Sequence, residues 1–217
     1  MTTDTNEAWL RQEIIDTALA MSVDGLSPGT SGNVSARFDT GMLITPTGMA
    51  YADLIPEDIA YVDVSGTTTG KRKPSSEWLF HLAAYETRAD ALAIVHTHSR
   101  YATALACARK SIPAFHYMVA VAGGTDIPLA DYATFGTKEL AEEVAGALKD
   151  RKACLMANHG QIACGASLAG ALALAHEIEE LAAQYVAALQ AGQPHILSEA
   201  EMADVLERFA TYGQQDD

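Results

Sequence analysis

The feature that most restricts how this chain can fold is an apolar, β-branched run over residues 91–98 that ends in two histidines. Such a run predicts a buried strand, and in a strand residues i and i+2 point to the same face of the sheet. His96 and His98 are two residues apart, so both imidazoles are expected to project to one side. Two imidazoles placed in this way can hold one cation.

A second apolar run covers residues 153–159 and ends in His159. Glu77 stands at the predicted start of a helix, and catalytic groups are often exposed at the ends of such elements. Three histidines and one carboxylate form a ligand set that suits Zn²⁺. The sequence therefore predicts a metal site formed by Glu77, His96, His98 and His159.

Each part of this set also has an ordinary structural interpretation. The histidine pair is compatible with two hydrogen-bonded core histidines, and Glu77 with the favourable charge–dipole interaction at a helix N-terminus, about 0.3–1 kcal/mol. In the functional hypothesis the Glu77 carboxylate binds metal and becomes a general base when substrate displaces it. Sequence spacing leaves open whether the four side chains converge.

Composition limits the class of protein that carries this site and the compartment in which it acts. The 217 residues are 49% hydrophobic and show no internal repeat or linker, so one domain is expected over residues 1–217. No apolar stretch approaches the ~18 residues of a membrane span, and the polar, acidic start does not resemble a secretory signal. Three scattered cysteines, Cys107, Cys154 and Cys164, indicate a reducing cytoplasm and are expected to be core thiols.

The net charge of −14 argues against nucleic acid and anionic membranes as partners. It does not argue against a phosphorylated substrate, because backbone amides and hydroxyls can bind an anion on an acidic protein. Three such loops occur: residues 29–33, residues 45–48, and Ser75 with Ser76. Each alone is an ordinary turn, but together they could bind a phosphate monoester, especially if Ser75 or Ser76 caps a helix.

The hydrophobic periodicity predicts strands in the middle of the chain and helices at both ends. Helices are predicted over residues 6–24, 77–87, 101–109, 137–149, 167–189 and 199–209. Strands are predicted over residues 34–38, 42–45, 59–64, 91–98, 153–159 and 161–164. This order indicates a three-layer α/β sandwich in which helices flank a central, mostly antiparallel sheet. The strand order is left open.

Other residues carry weaker signals. Tyr117, beside Phe115 and Met118, is of a kind that usually belongs to the core, and Phe209 with Tyr212 would anchor the C-terminal tail. The remaining histidines have no partner of ligand-like spacing and are interpreted as helix-face or surface residues. They are His81, His116, His176 and His195.

Taken in order along the chain, these motifs resemble the class II aldolases of the aldolase/adducin superfamily, in particular its L-fuculose-1-phosphate aldolase branch. The matching stretches are residues 29–35, 43–48, 74–78, 96–98, 111–118, 132–137, 159–160 and 211–213. The resemblance covers nearly the whole chain. It implies a single domain of this type that reversibly cleaves a ketose 1-phosphate to dihydroxyacetone phosphate and a small aldehyde, L-lactaldehyde if the sugar is L-fuculose 1-phosphate.

The resemblance also implies roles for individual residues. One zinc ion per subunit would be held by Glu77, His96, His98 and His159. Substrate phosphate would be bound by Asn33, Thr47, Gly48, Ser75 and Ser76. Tyr117 matches a tyrosine that a neighbouring subunit of a C4 homotetramer offers as proton donor, and the substrate region and mobile tail would include Phe135, Phe209 and Tyr212.

Alternatives within the superfamily remain. A 5-deoxyribulose or methylthioribulose 1-phosphate aldolase would use the same site with a different aldehyde pocket. An L-ribulose-5-phosphate 4-epimerase resembles this chain less, because it has aspartate at the position of Glu77. An adducin-like domain would be a non-catalytic interaction module.

Two positions depart from the pattern of the fuculose branch. Asn158 replaces a second histidine, and as a strand residue next to His159 it is expected to face away from the metal and to alter only the surroundings of the ligands. Ser27 and Pro28 precede the first glycine loop and would stiffen it. Both departures bear on sugar specificity more than on reaction type.

Overall fold

The computed structural model describes residues 3–209. The helices are α1 (Thr3–Val23), α2 (Trp78–Thr87), α3 (Arg100–Cys107), α4 (Lys138–Leu148), α5 (Leu168–Ala191) and α6 (Glu199–Phe209). The strands are β1 (Asn33–Phe38), β2 (Gly41–Ile44), β3 (Ala60–Asp63), β4 (Thr68–Thr69), β5 (Ala93–Thr97), β6 (Leu129–Ala130), β7 (Ala153–Met156) and β8 (Gly160–Gly165). Short 3₁₀ turns cover Tyr51–Asp53, Pro56–Asp58 and Tyr117–Ala122. No helix within residues 3–209 is long and apolar enough to span a membrane.

The described strands form one sheet in the order β4-β3-β2-β1-β5-β8-β7-β6. All neighbouring pairs are antiparallel except β6 and β7, which are parallel. The predicted α/β sandwich with a mostly antiparallel central sheet is confirmed. The two-residue strands β4 and β6 were not predicted, because two residues are too few to show a period.

Side-chain alternation along the central strands builds the two faces of the sheet. On β5, Ala93 and Val95 pack with α1, α3 and α5, whereas Ile94 packs with α2 and α4. His96 has the same parity as Ile94 and contacts the Phe80 ring of α2, with the ring centroids 5.2 Å apart. The metal-type histidines therefore lie on the α2/α4 side of the sheet.

The predicted helix cap at Ser75 or Ser76 is wrong. Helix α2 begins at Trp78, and its N-cap position is Glu77, with φ −102° and ψ 11° and no side-chain capping bond. The Ser75 hydroxyl instead accepts a hydrogen bond from the Glu77 backbone N–H at 3.3 Å. The Glu77 carboxylate is thus free from capping and can face the histidines.

The strand predicted over residues 153–159 is too long. Strand β7 ends at Met156, and a tight turn leads directly into β8, with Asn158 at φ 55°. Asparagine is among the residues that tolerate this left-handed conformation best. Asn158 and His159 are therefore turn residues, and the strand-based expectation for Asn158 is wrong.

One cysteine does not follow the prediction of core thiols. Cys154 and Cys164 are buried, as predicted, on the face of the sheet that packs against α2 and α4. Cys107 is exposed at the end of α3. The apolar stripe of α3 is carried instead by its buried residues Ala102, Leu105 and Ala106.

Candidate metal centre

The carboxylate and three histidines named from the sequence come together in the structure. One donor atom from each of Glu77, His96, His98 and His159 lies within 4.8 Å of all the others. Glu77 Oε1 is 2.9 Å from His159 Nε2, and Glu77 Oε2 is 3.2 Å from His96 Nε2. The Nε2 atoms of His96 and His98 are 3.1 Å apart.

Two neighbouring central strands, β5 and β8, bring the three histidines together at one end of the sheet. His96 lies on β5 and His98 directly after it, while His159 closes the turn before β8, which pairs with β5. This packing requires a glycine at position 160, because a Cβ there would lie 2.3 Å from the Thr97 carbonyl oxygen and 3.0 Å from His98 Cδ2. The turn can therefore approach closely enough to bring His159 beside His98.

Backbone chemistry orients His96. Its Nδ1 lies 2.8 Å from the Gln161 carbonyl oxygen, which can only accept, so Nδ1 carries the hydrogen. A neutral imidazole then presents the lone pair of Nε2 to the cluster, as a metal ligand must. The Gln161 side chain is held in turn, because its amide donates to Ser99 Oγ at 2.9 Å and to the Ala175 carbonyl at 3.0 Å.

The donor set fits a cation. Glu77 Oε2 lies 3.2 Å from His96 Nε2, and two such acceptor atoms need positive charge between them, either a proton on the ring or a bound metal ion. Burial opposes ionisation of Glu77, but His96 and His159 outweigh it and hold the pKa of the carboxyl far below its usual range. Burial, reinforced by charge on His96 and His159, lowers the pKa of His98 to about 3, which favours the neutral, ligating form.

Behind the cluster lies a histidine whose place the sequence interpretation missed. His81, expected on a helix face or at the surface, is fully buried, with Nε2 2.5 Å from Asn33 Oδ1. Asn33, expected at the phosphate, donates from Nδ2 to Glu77 Oε2 at 2.8 Å. The available signal was spacing, because His81 lies four residues after Glu77 and so shares its helical face.

The other histidines lie outside this cluster. His176 on α5 pairs with Asp24 at 3.0 Å, and His195 is exposed, both as expected. His116 is half-buried, and its Nδ1 accepts a hydrogen bond from the Met118 backbone N–H at the start of a 3₁₀ turn. It therefore has a local structural role.

A cleft of about 430 Å³ opens beside the metal-type cluster. Glu77, His98 and His159 line it. The five residues expected to bind phosphate all line the same cleft: Asn33, Thr47, Gly48, Ser75 and Ser76. The loops that carry them meet through backbone bonds, since the Ser75 N–H donates to the Thr45 carbonyl and the Thr47 N–H to the Lys73 carbonyl. The three loops thus converge.

Aromatic residues and Asn158 form the outer part of the cleft. Phe135 lines it as expected, and Tyr132, which the sequence interpretation did not single out, lines it too. Asn158 also lines it and accepts a hydrogen bond from Arg109 Nε at 2.8 Å. The Arg109 guanidinium lies over the Tyr132 ring, 5.7 Å from its centroid.

Of the remaining predicted site residues, the two that the structure describes, Tyr117 and Phe209, do not line the cleft of their own chain. Tyr117 begins a 3₁₀ turn and is 51% exposed, so it is not a core residue of this chain, although aromatic residues in such a context usually are. Phe209 ends α6 and packs beside buried Met202. Tyr212 lies outside the described residues.

Comparisons with known proteins agree with this geometry. The L-fuculose phosphate aldolase of Escherichia coli K12 is 53% identical over 205 residues, covering 94% of this chain and 95% of that protein. A 5-methylthioribulose-1-phosphate/5-deoxyribulose-1-phosphate aldolase of Rhodospirillum rubrum is 52% identical over 204 residues, covering 94% and 92%. A solved L-fuculose 1-phosphate aldolase superposes with a TM-score of 0.88 at 43% identity, over 92% of this chain and 95% of that one.

The sequence profile of the family described as Class II Aldolase and Adducin N-terminal domain matches residues 12–186, which is most of the chain. The alignments with the aldolases named above span almost the whole length of those proteins, and the carboxylate–histidine cluster is complete in this chain. The chain therefore belongs to the Class II Aldolase and Adducin N-terminal domain family and is a metal-dependent lyase of its aldolase branch.

Proposed function

We propose that this protein is a zinc-dependent aldolase that reversibly cleaves a ketose 1-phosphate to dihydroxyacetone phosphate and a small aldehyde. The observation that carries the proposal is the cleft itself, in which a carboxylate and three imidazoles stand beside loops rich in hydroxyls and backbone amides. A phosphate needs donors, and these loops provide them without positive charge. The protein is proposed to act in the cytoplasm.

The candidate substrates share the half of the molecule that becomes dihydroxyacetone phosphate. L-Fuculose 1-phosphate and the 5-deoxy- and 5-methylthioribulose 1-phosphates would all release dihydroxyacetone phosphate and differ in the aldehyde. The relatives named for these two substrate types are 53% and 52% identical to this chain, so identity does not separate them. We propose L-fuculose 1-phosphate or a related deoxy-ketose 1-phosphate as the substrate.

Zinc is the proposed metal, one ion per subunit, because three imidazole nitrogens and a carboxylate oxygen are among its preferred donors. Glu77, His96, His98 and His159 would hold it. Bound zinc would supply Lewis-acid stabilisation of the negative charge that develops when the carbon–carbon bond breaks. No lysine lies among the described residues that line the cleft, so a lysine imine is not part of the proposal.

The chain itself would move the protons. Glu77 is ionised and lines the cleft, so in the condensation direction its carboxylate would take a proton from the dihydroxyacetone phosphate carbon. In the cleavage direction it would return that proton. Asn33, Thr47, Gly48, Ser75 and Ser76 would bind the phosphate and so fix the position of this carbon relative to Glu77.

A second proton must move at the aldehyde oxygen. Tyr117 is half exposed and does not line the cleft of its own chain. We propose that it serves the site of a neighbouring subunit in a C4 homotetramer, in which a heterologous interface closes into a ring. The aromatic residues Phe135, Phe209 and Tyr212 are proposed to border the substrate region.

Turnover on a panel of ketose phosphates tests the function. The zinc-loaded protein is incubated with L-fuculose 1-phosphate, 5-deoxyribulose 1-phosphate and 5-methylthioribulose 1-phosphate, and dihydroxyacetone phosphate is measured by a coupled reductase. Release from at least one of them is expected. If none releases it and L-ribulose 5-phosphate is instead converted to its C4 epimer, the protein is an epimerase. No turnover of any substrate by the metal-loaded protein would favour a non-catalytic module.

The shared site is tested by mixing variants. Tyr117→Phe removes only a hydroxyl and is expected to slow cleavage with zinc content and assembly intact. Subunits carrying Tyr117→Phe are then mixed with subunits carrying Glu77→Gln. Activity above that of either parent is expected, since some interfaces regain an intact Tyr117 and Glu77 pair. Mixed tetramers without a gain, or an active monomer, would contradict the shared site.

A further inference from the structure

A chain of hydrogen bonds between buried polar side chains leads from the interior of the protein to Glu77. The Tyr85 hydroxyl lies 2.9 Å from Ser35 Oγ, which lies 2.7 Å from His81 Nδ1. On the other side of the ring, His81 Nε2 lies 2.5 Å from Asn33 Oδ1, and Asn33 Nδ2 lies 2.8 Å from Glu77 Oε2. All five residues are buried.

The direction of the inner bonds follows from the carboxylate. An ionised Glu77 can only accept, so the Asn33 atom that faces it must be the NH₂ group. The Asn33 carbonyl oxygen then faces His81 and can only accept in turn. His81 Nε2 must therefore carry a hydrogen and donate it.

The outer bonds follow from a neutral imidazole. Burial is the main cause that lowers the pKa of His81, to about 3, so the ring carries one hydrogen near neutral pH. Since that hydrogen is on Nε2, Nδ1 accepts from the Ser35 hydroxyl, and Ser35 accepts from Tyr85. Burial raises the pKa of Tyr85 above its ordinary value, so its hydroxyl keeps the hydrogen that it donates.

All four hydrogen bonds thus donate towards Glu77. We infer that His81 is a positioning residue for this aldolase: through its Nε2–H it locks the Asn33 amide in the one orientation that donates to Glu77. The inference rests on the proposed proton-transfer role of Glu77. Because Asn33 donates to Oε2, this contact can hold that oxygen in place while the other partners of Glu77 change during turnover.

Paired substitutions at His81 separate this role from packing. His81→Phe keeps a planar ring of similar shape but removes the donor, so the Asn33 carbonyl oxygen loses its partner and the amide is no longer held in place beside Glu77. His81→Gln keeps an N–H near the position of Nε2. The expected loss of kcat for His81→Phe is roughly 10–100-fold, as for other groups that orient a ligating residue. His81→Gln should recover most of the kcat.

A histidine outside the site supplies the matched control. His176 lies on α5, and its Nε2 pairs with Asp24 Oδ2 at 3.0 Å. His176→Phe should retain the kcat of the parent protein. Zinc content and melting temperature are measured for every variant. Equal kcat in His81→Phe and His176→Phe, at full zinc content, would overturn the inference.

The proton step can be followed alone. Dihydroxyacetone phosphate is incubated with the zinc-loaded protein in deuterated water without any aldehyde. A carbon-bound hydrogen of dihydroxyacetone phosphate should then exchange for deuterium through Glu77. If the parent protein shows no exchange and no cleavage, the proposed function fails. If the parent exchanges and fully metallated His81→Phe exchanges at the same rate, the function stands and the positioning role of His81 fails.

A measurement without turnover tests the bond direction. Histidine ¹⁵N NMR of the metal-free protein should show His81 neutral, with its hydrogen on Nε2. A hydrogen on Nδ1 would reverse the direction of these hydrogen bonds and overturn the inference. If His81→Phe does not fold, Ser35→Ala decides: loss of the hydroxyl that donates to Nδ1 should admit the second tautomer and lower kcat severalfold, and an unchanged tautomer with unchanged kcat would contradict the inference.

Discussion

The cleft has two parts that differ in how they are held. The inner wall consists of Asn33 and Glu77, which line the cleft, and of His81 and His96 behind them. It is almost inaccessible to solvent, and each of these side chains is hydrogen-bonded or ion-paired. The outer rim is exposed to solvent. It consists of Thr47, Ser76, Tyr132, Phe135 and Asn158.

The difference indicates a division of labour. Proton transfer and ligand binding need donor atoms held to within fractions of an ångström, and burial among satisfied partners provides this. Recognition of a variable aldehyde needs surfaces that can differ between related enzymes, and exposed aromatic and amide groups provide these. Changes to the wall should therefore lower kcat, and changes to the rim should alter KM or substrate preference.

The largest effect is expected from removal of the metal. Treatment with a chelator should abolish cleavage, and Zn²⁺, Co²⁺ or Mn²⁺ should restore it. His96→Ala removes a fully buried ligand of the wall and His98→Ala a ligand nearer the opening, and both should lose bound zinc in elemental analysis while retaining helical circular dichroism. Full activity in a protein shown to hold no metal would contradict the assignment.

Glu77→Gln should have the next largest effect. The amide keeps the size of the side chain and an oxygen that can accept from Asn33, but it cannot take a proton. We expect zinc to be largely retained and kcat to fall roughly 10²–10⁴-fold, the usual scale for a general base. Steady-state kinetics with measured zinc content would reveal this, and near-normal turnover would remove Glu77 from the proton transfer.

The phosphate loops lie between wall and rim, since Ser75 is buried and Ser76 is exposed. Hydrogen bonds to a charged group contribute about 1.5–3 kcal/mol each, so Ser75→Ala with Ser76→Ala should raise KM at least about tenfold with a smaller change in kcat. Ser65→Ala is the control, because Ser65 lies in an exposed turn and its hydroxyl donates a hydrogen bond to Asp63. A crystal complex with phosphate far from Ser75 and Ser76 would refute the assignment.

The smallest effect is expected at the rim. Asn158→His should change the ratio of kcat/KM between L-fuculose 1-phosphate and 5-methylthioribulose 1-phosphate by about two- to tenfold, because one altered pocket contact changes discrimination by about 1 kcal/mol. Histidine tolerates the positive φ of this position better than most residues. Hydrogen exchange of dihydroxyacetone phosphate should stay unchanged. A large loss of that exchange would show that Asn158 contributes to proton transfer and would contradict the distinction between wall and rim.

Much of the fold could be predicted because its signals are local. The apolar run over residues 91–98 predicted β5, and the spacing of His96 and His98 predicted that they share a face. The structure places His96 on the α2/α4 side. The helix predicted over residues 137–149 corresponds to α4, and the Thr137 hydroxyl caps it by accepting a hydrogen bond from the Leu140 backbone N–H. The errors lie at element ends, where a cap or a turn depends on contacts with distant parts of the chain.

The candidate site was predictable as a set of residue types and not as an arrangement. From the sequence alone came three histidines, a carboxylate and three hydroxyl-rich loops, since their chemistry depends on side-chain identity. Only the tertiary structure decided that Asn33 donates to Glu77 and that His81 is buried behind it. Both contacts join β1 to α2 across more than forty residues of sequence, and residue order carries no direct information about which helix covers which strand.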